Sequence, residues 1–459
     1  MLHKNVPRTT AIGDQVEPSL EITYRDLREL KPNPQNPRVH PKKQIQQLAN
    51  SIKHLGFNVP VLVNRKLQIV AGHGRAEAAK ALGISRVPTI RLDHLSEAQL
   101  RAFTIADNRL TDQSTWDEHL LAEQFKVLSD LDLNFSLEVT GFEVGEIDVM
   151  MEGLTAASKE DEDPADELLE LNSGTRVTQP GDVWSLGRHR VLCGDALGEQ
   201  VYPLLMENRC AAACFADPPY NVPIDGFVTR TGKMHHAEFA MAAGELSKAE
   251  FTEFLRKCFS MLSRNSNPGA LHFICMDWRH SPELLTAADQ VFAEFKNLCV
   301  WVKDTGGQGS LYRSQHELVF VFKSGKKQHR NNVQLGRYGR YRTNVWRYPR
   351  VNSFRRTNPE AEFTILHPTV KPVSLVADAI LDSTARGDIV LDPFLGSGTT
   401  LIAAERVGRI CYGIEMTPAY VDLAIRRWQS FTGKSAVHCQ SCQSFREREE
   451  VAGEKRQSQ

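Results

Sequence analysis

The chain has 459 residues, 41% of them hydrophobic and 24% charged, at a formal net charge of −1. That length exceeds one compact core and predicts two or three domains, while a total so near neutrality neither favours nor excludes a polyanionic partner. The absence of any apolar run of about 18 residues predicts no membrane span, and the start Met1-Leu2-His3-Lys4 carries no apolar signal core.

The nine cysteines are scattered, mostly in apolar stretches. They read as small buried thiols of a reduced, cytoplasmic protein. His438 with Cys439 and Cys442 lacks a second ligand pair, so no metal site is expected.

Residues 1–21 are polar and predict a disordered start. From 22 to 110 the pattern is that of a small α/β unit. Ile45, Leu48, Ile52 and Leu55 recur at helical spacing and stop at Gly56. Val59-Pro60-Val61-Leu62-Val63 and Leu67-Gln68-Ile69-Val70 read as paired strands. Gly72-His73-Gly74-Arg75 then opens an Ala-rich helix ending at Gly83. Together with Asn36-Pro37-Arg38 and Val87-Pro88, this stretch resembles the N-terminal domain of ParB-type proteins, in the ParB/sulfiredoxin superfamily. The resemblance implies that Gly72, Gly74 and Arg75 hold nucleotide phosphates at a helix start. The usual Gly-Glu-Arg-Arg of that family is altered here, which leaves open a second reading in which Arg75 caps a structural turn of a DNA-docking module.

Residues 111–157 read as a helical connector, with Leu120, Leu121, Phe125, Leu128 and Leu131 in helical register, and 158–180 as an acidic linker around Glu160-Asp161-Glu162-Asp163. From 181 to 433 apolar strands alternate with helices. That is the pattern of a doubly wound α/β sheet, whose ligands sit at the carboxyl ends of its strands. Residues 434–459 read as a C-terminal tail.

Two strand ends carry chemistry. Ala212-Ala213-Cys214-Phe215-Ala216 runs into Asp217-Pro218-Pro219-Tyr220. The double proline fixes an extended backbone without amide donors, so a carboxylate and a carbonyl can face one pocket beside an aromatic ring able to stack on a flipped base. An exocyclic amine suits that pair. Its lone pair is delocalised into the ring, and two acceptors on its hydrogens push the nitrogen towards a tetrahedral, nucleophilic form.

Ile389-Val390-Leu391 runs into Asp392-Pro393-Phe394-Leu395-Gly396-Ser397-Gly398-Thr399-Thr400 and a helix. The glycines allow a ligand close to the backbone, and the helix start favours a carboxylate. The loop matches neither the Walker nor the dinucleotide glycine spacing, which argues against an ATPase or a dehydrogenase. Glu415 ends the next strand, where an acid commonly holds ribose hydroxyls.

These two motifs, with His367-Pro368-Thr369-Val370-Lys371-Pro372 between them, resemble the signature set of the DNA amino-methyltransferases, in the motif order of their circularly permuted β group. The resemblance implies a Rossmann-like, circularly permuted methyltransferase domain behind the ParB-like one. The activity it implies is site-specific transfer of a methyl group from S-adenosylmethionine to an amine of double-stranded DNA. Asp217, Pro218, Pro219 and Tyr220 would be catalytic. Asp392, Phe394, Gly396, Ser397, Gly398 and Thr399 would hold the methionyl part of the cofactor, Glu415 its ribose, and Asp195 would face its adenine. Lys371 would line the cofactor pocket or approach DNA.

Tyr312, Arg313 and His316, in a strand–loop–strand, and Arg340, Arg342 and Arg347, in a basic aromatic insert over 323–365, would touch DNA. Asp at the head of the loop favours adenine, with cytosine the alternative. RNA or protein amides are argued against by the insert and the motif order. A ParB-like binding protein with an inactive methylase half is the competing class. No restriction endonuclease motif is visible, which suggests a solitary methylase of phage or prophage type, and homodimerisation is left open.

Overall fold

The computed structural model describes residues 20–131, 133–155, 164–166, 176–222, 244–304, 306, 311–337, 339–349 and 370–457. The expected disorder over 1–21 falls almost wholly outside them. So do the centre of the acidic linker, His367-Pro368-Thr369, and the end of the basic insert. The chain divides into two compact units, residues 1–143 and 144–459.

In the first unit, β1 (Ile22–Asp26), α1 (Lys42–Leu55), β2 (Val61–Val63), β3 (Ile69–Ala71), α2 (His73–Ala81) and β4 (Arg86–Arg91) are followed by α3 (Glu97–Thr111) and α4 (Glu118–Asp130). Among the described residues the strands form one sheet in the order β1-β4-β2-β3. Val61, Val63, Ile69 and Val87 bury its core against Ala76 and Ala79 of α2. Alanines let α2 lie close to the strands, and Gly74 lets it lie close to α1, since a Cβ there would come within 3.0 Å of Leu48.

The second unit opens with α5 (Val144–Thr155), so the stretch read as a single helical connector is shared between the two units. It continues through β5 (Val183–Leu186), β6 (His189–Cys193), α6 (Val201–Met206), β7 (Ala211–Ala216), α7 (Lys248–Arg264), β8 (Ser266–Met276), α8 (Ser281–Asp289), β9 (Glu294–Val302) and β10 (His316–Lys323). Then come β11 (Val345–Arg347), α9 (Val373–Ser383), β12 (Ile389–Asp392), α10 (Thr399–Arg406), β13 (Ile410–Glu415), α11 (Pro418–Thr432), β14 (Val437–His438) and α12 (Phe445–Gln457).

The described strands make one sheet, β11-β9-β10-β8-β7-β12-β13-β6-β5-β14. Neighbours from β8 to β6 run parallel, and β10 runs against both β8 and β9. One face is covered by α9, α10 and α11 through Val376, Leu401 and Ile425. The other is covered by α6, α7 and α8 through Tyr202, Phe251 and Leu284. This is the doubly wound arrangement expected, and burial on both faces explains why its central strands are unbroken apolar runs.

Two segments outside the expected boundaries belong to this unit. Residues 437–438 add β14 to the sheet edge, and Trp184 packs edge-on against His438 and at a tilt against Phe445. Part of the acidic linker is docked as well. The Val177 and Thr178 amides donate to buried Asp422 at 2.9 and 3.0 Å, and Asp166 accepts from the Val373 amide at the start of α9 at 2.7 Å. Among the described residues no helix is long and apolar enough to cross a membrane, and no group of three His, Cys, Asp or Glu could hold a metal ion.

Candidate active site

The parallel strands β7 and β12 are neighbours, so Asp217 and the loop after Asp392 emerge side by side from one edge of the sheet. Small buried side chains in β7 (Ala-Ala-Ala-Cys-Phe-Ala) let it sit centrally. Pro218 and Pro219 then carry the chain out of the sheet without amide donors that would need partners. Asn221 ends the loop in a left-handed conformation, φ 52°. Its buried side chain accepts from the Gly244 and Leu246 amides and donates to the Leu246 carbonyl at 2.8 Å. It therefore links residue 221 to residues 244 and 246.

Within the loop the Tyr220 hydroxyl donates to Asp217 Oδ1 at 2.6 Å, and the Lys371 ammonium donates to Asp217 Oδ2 at 2.5 Å. Lys371 precedes α9, which is held at its start by Asp166. Its side chain is only 5% exposed and lies 3.1 Å from a second carboxylate, Glu317 Oε2. Glu317 is the second residue of β10 and is bound on its other oxygen by Lys303 at 2.5 Å, whose ammonium rests over the Trp301 ring.

The four charges form an alternating chain, Asp217–Lys371–Glu317–Lys303. Burial works against the charge on Glu317 and on Lys371. The neighbouring charges outweigh burial, holding Glu317 well below the usual carboxylate range and Lys371 well above its ordinary range. Burial and the neighbouring carboxylates push the Tyr220 phenol well up, so it stays a hydroxyl.

The glycine loop is shaped from below. Gly396 and Gly398 have φ 51° and 86°, and a Cβ on Gly398 would sit 2.9 Å from the Ala424 methyl; only glycine allows the close approach of loop and helix α11. Glu415, at the end of β13, accepts from the Gly396 amide at 3.0 Å and the Thr417 amide at 2.7 Å. The Thr417 hydroxyl and the Met416 amide also act on this carboxylate.

Asp392 accepts from the Phe394 amide at 2.9 Å, and burial lifts its carboxyl to about 7. Ser397 and Thr399 are buried, and Arg427 donates to the Ser397 carbonyl and the Thr399 hydroxyl, each at 3.3 Å. Asp195 follows β6 on the same edge and accepts from the Leu197 amide at 2.9 Å. Phe394 is half-buried and faces Phe254. Cofactor candidates from three strand ends therefore converge around one glycine loop, with carboxylate lone pairs and a glycine cradle suited to an adenosyl amino acid.

The DNA candidates separate. Tyr312 and Arg313 are exposed and His316 is half-exposed beside Glu317; Arg347 is exposed at the end of β11, opposite Val302 at the site edge. Arg340 and Arg342 differ from expectation. Arg340 is buried and pairs with Glu152, Asp378 and Asp382 at 3.0–3.2 Å. Arg342 binds Asp378, Asp382 and the Tyr348 hydroxyl. Buried Asn332 reaches the Leu381 and Thr384 carbonyls at the far end of α9. The first part of the basic insert is thus a clamp on α9, because acids distant in sequence consume its charge.

In the first unit, Gly72 caps α2 in a left-handed conformation, φ 96°. The Arg75 guanidinium folds back over it and donates to the Pro60 carbonyl at 3.4 Å, and the His73 Nε2 accepts from the Asn33 amide.

Three site residues were not singled out in sequence: Glu317, Lys303 and Asn221. Glu317 is the one acid in the strand run His316-Glu317-Leu318-Val319-Phe320-Val321-Phe322, and a carboxylate entering an apolar strand was the available signal.

Comparisons with known proteins place family matches along the chain. The DNA methylase family matches residues 211–426, the ParB N-terminal domain residues 14–109, and the ParB-methyltransferase HTH domain residues 119–180. The type II methyltransferase M2.MboI of Moraxella bovis is 29% identical over 48% of this chain and 80% of its own. M.HpaI of Haemophilus parainfluenzae is 27% identical over 54% and 77%. The ParB-like nuclease domain-containing protein YnaK of Escherichia coli is 46% identical over 17% of this chain and 92% of its own.

Proposed function

We propose that this chain, which belongs to the DNA methylases of the N4/N6 type and carries a ParB N-terminal domain in front, methylates the N6 amine of adenine in double-stranded DNA at a specific site. S-adenosylmethionine, bound at the glycine loop, supplies an electrophilic methyl group. Gly396, Gly398 and Thr399 would receive its methionyl end, Glu415 its ribose hydroxyls, and Asp195 would lie towards its base.

The observation that carries the reading is the Asp217 carboxylate, aligned by the Tyr220 hydroxyl at 2.6 Å, at the tip of the strand beside the glycine loop. One amine hydrogen goes to Asp217 and the other to the Pro218 carbonyl. The nitrogen lone pair would then no longer be shared with the ring and would point at the methyl carbon; as the C–N bond forms the methyl–sulfur bond breaks, leaving a neutral thioether, and the proton displaced from the nitrogen passes along its hydrogen bond to Asp217. Tyr220 supplies a face for the flipped base. Adenine rests on Asp at the head of the loop. Tyr312, Arg313, His316 and Arg347 are the residues we assign to DNA.

Incubation of the purified chain with methyl-labelled cofactor and plasmid, followed by mapping of the modified base, tests the proposal. Label on adenine N6 is expected. Asp217→Ala should bind cofactor and transfer nothing; full activity in that variant refutes the chemistry, and label on cytosine N4 corrects the base.

A further inference from the structure

The acceptor that the reaction needs is already occupied. Lys371 Nζ stands 2.5 Å from Asp217 Oδ2, where an amine hydrogen would have to go, so the ammonium must move when a base enters. At 5% exposure it is nearly cut off from bulk water. A second acceptor waits within the site: Glu317 Oε2, 3.1 Å from the same nitrogen. Lys303 fixes Glu317 from the opposite side at 2.5 Å, so the carboxylate cannot follow the lysine and keeps a constant place for it. Lys371 therefore stays paired with a carboxylate in either position, while Asp217 exchanges the ammonium for the amine hydrogen and keeps the Tyr220 hydroxyl.

The chemistry of the entering base says what the moved lysine meets. In adenine and in cytosine, the carbon bearing the exocyclic amine also bonds an unprotonated ring nitrogen, N1 or N3. The edge offered to the site is thus a donor beside an acceptor. Asp217 takes the donor, and an ammonium drawn aside from Asp217 towards Glu317 lies next to the acceptor.

We infer that Lys371 donates a hydrogen bond to that ring nitrogen, so that Asp217 and Lys371 together read the amine–ring-nitrogen edge, with Glu317 as the positioning residue that holds the lysine in its reading place. Hypoxanthine and uracil present the reverse edge, a carbonyl beside an N–H, and would place like dipoles against both groups. The inference rests on the amine reading of the site and deepens it. It accounts for how one pocket can suit either of two bases of different size.

The test uses the full chain and a duplex containing the mapped site, with the target base replaced by 1-deazaadenine, or by 3-deazacytosine where mapping puts the methyl on cytosine. Either analogue keeps the amine and lacks the ring acceptor. Kd is measured with S-adenosylhomocysteine present, so that an inactive variant still gives a reading. The wild type should bind the analogue about tenfold or more weakly than the parent duplex, the size of one charge-assisted hydrogen bond. Lys371→Met should bind the two within about twofold, because its penalty is already incurred.

Glu317→Gln should likewise shrink the discrimination, and Glu317→Asp should restore it, which a loss of fold would not do. Unchanged binding of S-adenosylhomocysteine certifies that each variant is folded. Equal analogue penalties in wild type and Lys371→Met, or no penalty in the wild type, overturn the inference. No label entering the parent duplex with wild-type protein would instead overturn the reading of the transfer itself.

Discussion

Replacing Asp392 by Asn should make the protein more stable at alkaline pH, by an amount that shrinks as the pH falls towards 4. Asp392 closes β12 at 4% exposure, and burial raises its carboxyl from 3.8 to about 7, against the hydrogen bonds of Thr400 and the Phe394 amide. The folded protein therefore binds this proton more tightly than the unfolded chain. The stability linked to that proton is complete below about 3.8, declines as pH rises, and is gone once pH passes about 7. At about 1.4 kcal/mol per pH unit, the interval from 3.8 to about 7 corresponds to about 4 kcal/mol, an upper bound because a buried site relaxes and admits water.

Asparagine keeps an acceptor for the Phe394 amide and has no charge to bury, so Asp392→Asn should gain roughly 2–4 kcal/mol over wild type at pH 8.5 and less than half of that at pH 5, which lies only about one unit above the unfolded value. Urea unfolding followed by tryptophan fluorescence at both pH values measures the difference in midpoints. Wild type and variant losing stability in parallel from pH 5 to 8.5 would refute the reasoning. Reduced cofactor affinity in the more stable variant would show that the charge beneath the glycine loop is kept for binding.

Two further outcomes follow from where charges are spent. Asp148 of α5 and Arg409 before β13 form a bidentate pair, at 3.0 and 2.7 Å, with both side chains almost fully buried; Asp148→Ala should cost about 3–5 kcal/mol in unfolding experiments, and a loss below about 1 kcal/mol would show that the Thr384 hydroxyl and the Thr384 and Val407 carbonyls suffice for the arginine. Arg347→Ala should weaken DNA binding and lower the slope of log Kd against log salt by about one, while Arg340→Met should leave that slope unchanged and lower the melting temperature; a salt slope that responds to Arg340 instead would place the DNA along α9.

Much of the site was legible because its chemistry sits in short runs. Asp217 to Tyr220 and Asp392 to Thr399 are contiguous, and each follows an apolar strand whose carboxyl end must open on a ligand edge. The clamp on α9 was not legible. Arg340 and Arg342 stand in a basic, aromatic stretch that reads as a polyanion surface, and nothing nearby announces Glu152, Asp378 and Asp382 as their partners. Local composition counts charges and cannot count the acids that the fold brings to them. Glu317 was missed for the converse reason: a single acid in an apolar strand looks like an edge residue until Lys371 and Lys303 are seen on either side.

The permuted motif order has a simple physical ground. Asp217 precedes Gly396 by most of the domain in sequence, yet β7 and β12 are hydrogen-bonded neighbours, with Val390 opposite Ala213 and Leu391 opposite Cys214. What the chemistry requires is that two adjacent parallel strands end at the same edge, one in a rigid acidic loop and the other in a glycine loop. Chain connections enter only through the helices that return on either face, and these can be cut and rejoined elsewhere without changing which strands are neighbours. Lys371 shows the same independence. It comes from the approach to α9, and Glu317 from the start of the antiparallel strand β10, yet both reach the tip of β7. The site is thus a property of one sheet edge, and any chain order that preserves the neighbours along that edge preserves the chemistry.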